Sequence, residues 1–156
     1  MTATLPPITE LIADFEMLCA IGRDPEGGWS RPAFGPEECA AHEWFMSRAR
    51  DMGMDARQDA FGNTIARTPG SGRALALGSH LDTVRNGGAF DGALGVLAGL
   101  EIARRAMADS LWQCPVEVIA FRDEEGVLAP SPAAGRWWAI SRRRICLPNA
   151  ARTARR

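Results

Sequence analysis

The chain has 156 residues, enough for one domain with a substantial core and too few for two comfortable ones. Hydrophobic residues make up 46% and charged residues 24% of the sequence, which is ordinary for a soluble globular protein. No apolar run approaches the length of a membrane span, and Met1–Ala13 lacks the features of a signal peptide. We therefore expect a cytoplasmic protein with no membrane partner.

The net charge of -1 hides an uneven distribution of charge. All 18 basic residues are arginine, and all 19 acidic residues lie at or before Glu125. The remainder of the chain carries seven arginines and no acidic residue. This change in composition predicts a boundary near Gly126.

The first half of the chain contains two predicted helices. Apolar residues at helical spacing predict a helix over Ile8–Gly22, which the glycine ends. The segment Asp24–Gly35 is rich in glycine and proline and is typical of a loop. A second helix is predicted over Pro36–Gly53, with proline in its first turn. His42 lies in this helix beside Glu43, and we expect it to be exposed to solvent.

The next segments alternate between predicted strands and a helix. Asp55–Ala60 and Thr64–Arg67 flank a Gly-Asn pair and predict a β-hairpin. Ala74–Gly78 is interpreted as a buried strand, Leu94–Met107 as a helix and Val116–Phe121 as a further strand. This alternation predicts the α/β class, with a sheet that is mixed because of the hairpin.

Two groups of polar residues follow predicted strands, at the edge where open α/β sheets bind ligands. His80 and Asp82 follow the first, and Asp91 comes shortly after them beside a glycine. Glu124 and Glu125 follow the second. Asp82 is placed to orient His80 toward a metal, and two adjacent carboxylates at a strand end can divide metal binding and proton transfer between them.

Each feature alone has an ordinary structural interpretation. A His-x-Asp pair is usually at the surface, Asp-Gly is usually a turn, and Glu-Glu is usually a solvated charge pair. What favours a metal-dependent site is their conjunction, since all three occur in order, at strand ends and beside glycine.

Several segments resemble one enzyme family. Gly78–Glu101 is similar to the metal-binding signature of the N-carbamoyl-L-amino acid hydrolase, allantoate amidohydrolase and β-ureidopropionase family, a branch of the zinc-dependent aminoacylase and carboxypeptidase clan. Gly22–Phe34, Asp59–Gly70 and Val118–Gly126 resemble the same branch. The resemblance implies an incomplete three-layer, zinc-peptidase-like catalytic domain in residues 1–127, with the dimerisation and lid domain absent.

The resemblance also implies roles for individual residues. His80 would bind one metal ion, Asp91 would bridge two, and Glu125 would bind the second. Asp82 would orient His80, and Glu124 would be the general base. The implied cofactors are two divalent ions, with zinc expected and manganese, cobalt and nickel compatible with the same ligands. The implied reaction is hydrolysis of a carbon–nitrogen bond other than a peptide bond in a small ureido or amide substrate.

The sequence departs from the family pattern in its histidines. The family implies two further histidine ligands, yet the sequence contains only His42 and His80, and His42 matches no ligand position. We therefore interpret the chain as an amino-terminal fragment that is inactive alone and that does not form the family's homodimer. The alternative of a genuine short metal-binding module, built from His80, Asp91 and Glu125 alone, remains open.

The sequence beyond Val127 has no family resemblance. Residues 128–156 form an arginine-rich tail without acidic residues, and we expect it to be disordered. Its composition is typical of GC-rich DNA translated in the wrong frame, so we hypothesise a frameshift near Val127–Gly135. The alternative is a non-catalytic remnant whose tail binds nucleic acid or anionic surfaces, with Trp137 and Trp138 stacking on bases. Under the first interpretation no nucleic-acid partner is expected.

Overall fold

The computed structural model describes residues 7–109 and 112–126. Residues 128–156, and with them the predicted tail, lie outside this range. The helices are α1 (Thr9–Cys19), α2 (Pro36–Asp51) and α3 (Ala93–Ala108), and the strands are β1 (Asp55–Gln58), β2 (Thr64–Arg67), β3 (Leu75–His80) and β4 (Val116–Phe121). None of the helices in the described residues has the length and apolarity that crossing a bilayer requires.

Helix α2 begins and ends where the sequence predicted. Pro36 occupies its first turn, where a missing backbone N–H costs nothing, and Glu37 and Glu38 complement the positive end of the helix dipole. Gly53 follows the helix with a φ of 83°, a left-handed conformation that glycine adopts without strain.

The four strands form one mixed sheet in the order β1-β2-β4-β3. β1 and β2 form the predicted antiparallel hairpin, β2 pairs antiparallel with β4, and β4 pairs parallel with β3. In the parallel pair His80 lies opposite Phe121, so both strands end at the same edge of the sheet. This pairing brings the segments that follow β3 and β4 next to each other.

The core lies on one face of this sheet. Helices α2 and α3 pack there, and Phe45, Leu100, Ala66 and Val118 belong to one buried cluster, while α1 packs on α3. Ile119 points to the opposite face. The described part of the chain thus has an α/β fold with helices on one face, and the third layer stays a prediction.

The prediction of a buried strand at Ala74–Gly78 was wrong in one respect. β3 forms an edge of the sheet within the described residues, and Ala76 and Gly78 are exposed. A short apolar run is typical of both central and edge strands, so the sequence could not distinguish the two.

The prediction that His42 is exposed was wrong. Its side chain is 0% exposed, with Nε2 3.1 Å from Oε1 of Glu38 and Nδ1 2.8 Å from Oγ1 of Thr64. Glu38 and His42 are four residues apart and therefore share the inner face of α2. The neighbouring Glu43 is exposed, and its presence beside His42 led to the wrong prediction that the histidine is exposed too.

Phe45 is fully buried between α2 and the sheet, so we expect its truncation to lower the stability of the fold strongly. Phe45→Ala should lower the free energy of unfolding by about 3–5 kcal/mol, because it removes buried apolar area and leaves a cavity. Urea unfolding followed by circular dichroism measures this. Phe61→Ala is the control, since Phe61 is 49% exposed and should change the value by less than about 0.5 kcal/mol. Equal effects of the two substitutions would contradict the assigned core.

Candidate metal centre

Three separate segments bring the predicted site residues together. His80 ends β3, Asp91 lies just before α3, and Glu125 follows β4. One ligand atom from each of these three side chains lies within 4.8 Å of the other two. Residues far apart in sequence therefore share one site at the carboxyl edge of the parallel strand pair.

Contacts of both ring nitrogens orient the side chain of His80. Its Nδ1 lies 3.0 Å from the backbone carbonyl oxygen of Asp82 and 3.5 Å from the Oδ1 of the same residue. Its Nε2 lies 3.7 Å from Oδ1 of Asp91 and 3.6 Å from Oε2 of Glu124. With Nδ1 held by Asp82, Nε2 faces the cluster of carboxylates. Asp82 was expected to orient this ring through its side chain, and its backbone carbonyl is the nearer of the two contacts.

Asp82 joins the two strand ends. Its side chain is fully buried, and Oδ2 accepts a hydrogen bond of 3.0 Å from the backbone N–H of Glu125. Its Oδ1 faces His80 and has no hydrogen-bond partner among the described residues. One carboxylate therefore contacts both the histidine after β3 and the backbone of the segment after β4.

Gly92 allows α3 to begin against His80. Its φ is 63°, and a Cβ added there would lie 2.6 Å from ring atoms of His80. Any larger residue would push the start of α3, and with it Asp91, away from the histidine. The glycine beside Asp91 thus has a steric reason, beyond the tight turn that the sequence analysis attributed to it.

The loop that contains Arg31 was not predicted to belong to the site, but it contacts the segment that carries Asp82. Arg31 is buried, and its Nε donates a hydrogen bond of 2.7 Å to the carbonyl of Leu81, next to Asp82. The backbone N–H of Arg31 donates to Oγ1 of Thr83 at 2.8 Å, and Thr83 returns a backbone bond to the carbonyl of Arg31. Arg31 lies in Gly22–Phe34, one of the segments that resemble the enzyme family. The sequence did not indicate that this arginine would be buried.

The electrostatics of the site are dominated by negative charge. Burial opposes protonation of His80, but the hydrogen bond and charge of Asp82, with the charge of Glu124, outweigh it and raise the pKa of His80 to about 9. Burial tends to raise the pKa of Asp82, but the close contact of its carboxylate with His80 and the hydrogen bond from the backbone N–H of Glu125 lower it overall. Burial and the negative charge of Asp91 raise the pKa of Glu125.

These charges fit a bound cation. Four carboxylates surround a single imidazole, and the pKa of Glu125 is raised by burial and by the like charge of Asp91. One imidazole nitrogen and two carboxylate oxygens form a donor set that zinc, manganese, cobalt and nickel all accept. Three such donors suit one ion. A second ion would need donors beyond those that the described residues bring together.

Glu124 is placed differently from Glu125. Its side chain is 43% exposed and its Oε2 reaches the edge of His80, so it contacts both the site and solvent. It is preceded by Asp123, which is buried with a φ of 57°. A non-glycine residue in this left-handed region indicates a backbone turn that the surrounding structure holds in place.

Known proteins resemble this chain in sequence and in structure. The sequence profile of peptidase family M28 matches residues 63–139. The N-carbamoyl-L-amino acid amidohydrolase of Geobacillus stearothermophilus is 43% identical over 110 residues, which cover 68% of this chain and 27% of that protein. The allantoate amidohydrolase of Escherichia coli K12 is 36% identical over 117 residues, covering 72% of this chain and 28% of that protein.

A solved structure matches to a similar extent. An amidase of the hydantoinase/carbamoylase family from Burkholderia phymatum superposes with a TM-score of 0.74 at 37% identity, covering 81% of this chain and 31% of that one. The chain spans about a quarter of the length of the curated relatives that it matches. These matches show that the chain is homologous to the N-carbamoyl-L-amino acid and allantoate amidohydrolases over about a quarter of their length, and that about half of it fits the profile of peptidase family M28.

Proposed function

We propose that this chain carries part of the active site of a metal-dependent hydrolase acting on carbon–nitrogen bonds other than peptide bonds. The substrates would be small ureido compounds of the N-carbamoyl-L-amino acid or allantoate type. The observation that carries the proposal is the convergence of His80, Asp91 and Glu125 from three segments to within 4.8 Å. Peptidase family M28 is metal-dependent, and the relatives named above are amidohydrolases, which supports the same chemistry here.

The residues of the chain have separate roles in this proposal. His80, through Nε2, and the carboxylates of Asp91 and Glu125 would hold a divalent ion. The backbone carbonyl of Asp82 would accept a hydrogen bond from Nδ1–H of His80, so that Nε2 is the nitrogen that gives up its proton to a bound metal. A divalent ion held there would polarise the substrate carbonyl and lower the pKa of water.

Glu124 is the proposed general base. It is the partly exposed carboxylate at the edge of the site, close enough to His80 to reach the same reacting region and open enough to exchange protons with solvent. It would take a proton from the attacking water and deliver it to the leaving nitrogen. For an N-carbamoyl amino acid the products would be the amino acid, ammonia and carbon dioxide.

We also propose that the 156-residue chain is inactive by itself. A two-ion site needs more protein ligands than the three assembled here, and the sequence offers only one other histidine. That residue, His42, is fully buried against Glu38 and Thr64 and cannot turn to the site. The missing ligands would have to come from another polypeptide segment.

The metal centre predicts a specific loss on replacing His80. The chain should bind one equivalent of zinc, and His80→Ala should weaken the affinity for zinc by more than about 100-fold. Loss of a residue that only hydrogen-bonds a metal ligand typically lowers metal affinity 10–100-fold, so loss of the ligand itself should lower it further. Isothermal titration calorimetry measures both affinity and stoichiometry. Asp55→Asn, an exposed change on β1, is the control and should bind as the unaltered chain does. Zinc binding that survives His80→Ala unchanged would refute the assigned centre.

The hydrolytic role is testable in a chimera. The matching segment of this chain would replace the 110-residue segment of the Geobacillus stearothermophilus amidohydrolase, which supplies the rest of the protein. We expect the chimera to release ammonia from an N-carbamoyl-L-amino acid, and Glu124→Gln to lower the rate about 10²–10⁴-fold with metal content unchanged.

The controls for that experiment are the chain alone and the Asp55→Asn chimera. The chain alone, loaded with zinc, manganese or cobalt, should give no ammonia above background. The Asp55→Asn chimera should keep its full rate. A Glu124→Gln chimera with an undiminished rate would remove Glu124 from the mechanism, and turnover by the chain alone would show that the site is sufficient without further ligands.

A further inference from the structure

A buried group of ionisable side chains lies at the carboxyl end of β4 and is not part of the metal centre. Glu38 and His42 come from α2, and Arg122 comes directly after β4. The side chains of Glu38 and His42 are completely buried, and that of Arg122 is 10% exposed. We refer to these three residues as the Glu38 cluster.

Glu38 is the centre of the cluster. Its Oε1 lies 3.0 Å from Nε of Arg122 and 3.1 Å from Nε2 of His42. These are ion-pair distances, but the atoms are not aligned for straight hydrogen bonds. Its Oε2 accepts a hydrogen bond of 3.0 Å from the backbone N–H of Phe34. One carboxylate therefore links α2, the loop before it and the end of β4.

A contribution to the stability of the fold is a weak explanation for the Glu38 cluster. Removing charged groups from water costs several kcal/mol per ion, and well-packed apolar residues often replace a buried ion pair without loss of stability. An ordinary pairing exists elsewhere in the chain for comparison. Glu101 binds Arg104 and Arg105 on one partly exposed face of α3. The Glu38 cluster is more deeply buried, and a positional role explains its location.

Arg122 is held firmly at the start of the turn that carries the site carboxylates. Its backbone N–H donates a hydrogen bond of 3.0 Å to Oδ1 of Asn63, and its guanidinium lies 5.0 Å from the ring centroid of Phe34. The next residue is Asp123, in the left-handed conformation. At the other end of the turn the backbone N–H of Glu125 binds Asp82. The turn is thus fixed at Arg122 and at Glu125.

We propose that Glu38 is a positioning residue of the metal centre. By fixing Arg122, it sets the conformation of residues 122–125 and so aims Glu124 and Glu125 at His80. This inference rests on the proposed metal centre. It assigns a role in that centre to a side chain that touches neither metal nor substrate.

The test uses the full 156-residue chain and cobalt(II) as the probe, because the visible spectrum of cobalt reports the geometry of its ligands. Glu38→Gln preserves the shape of the side chain and removes its charge. We expect it to weaken cobalt binding about 10–100-fold, as changes behind metal ligands typically do, and to alter the spectrum. The matched control is Glu101→Gln, which removes an arginine-paired glutamate away from the site and should leave affinity and spectrum unchanged.

A second variant separates positioning from folding. Glu38→Met combined with Arg122→Met replaces the ion pair by apolar side chains, so that neither charge is left buried without its partner and the variant should stay folded. This folded double variant should still show the weaker cobalt binding and the altered spectrum. Wild-type affinity and spectrum in the double variant or in Glu38→Gln would overturn the inference. Absence of cobalt binding by the unaltered chain would overturn the proposed metal centre itself, and the inference with it.

Discussion

The parallel pairing of β3 with β4 is the constraint on which the site depends. His80 lies opposite Phe121 in that register, so the two segments that carry the reactive side chains leave the sheet side by side. Helix α3 forms the crossover between these strands, and its start brings Asp91 to the same edge. A shift of one residue in the register would turn His80 to the other face of the sheet, because side chains alternate along a strand. The position of each candidate ligand follows from this one pairing.

Among the described residues, the fold assembles more negative charge at this edge than the neighbouring side chains neutralise. Asp82, Asp91, Glu124 and Glu125 surround His80, and the interactions of His80 with Asp82 and Glu124 raise the pKa of the imidazole to about 9. Arg122, the basic residue directly before the turn, is occupied with Glu38. The arrangement leaves a surplus of oxygen ligands that face one another, and a divalent cation would relieve their repulsion.

Much of the fold was predictable from the sequence, because the relevant signals are local. Pro36 and Gly53 bound α2, the Gly-Asn pair gives the hairpin, and Val116–Phe121 matches β4 in full. The site residues were also named from the sequence, and His80, Asp91 and Glu125 do meet. Their metal-binding and catalytic roles remain predictions.

The features that the sequence did not reveal all depend on tertiary contacts. Burial of His42 follows from Glu38 and Arg122, and Arg122 is 80 residues away from His42 along the chain. Burial of Arg31 follows from the carbonyl of Leu81, which no local pattern connects to it.

The most direct measurement is an anomalous difference map at the zinc edge, from crystals of the chain grown with zinc. The account predicts a peak about 2.0–2.2 Å from Nε2 of His80 and from carboxylate oxygens of Asp91 and Glu125. A fully ordered site without a peak, or zinc bound only elsewhere, would contradict it.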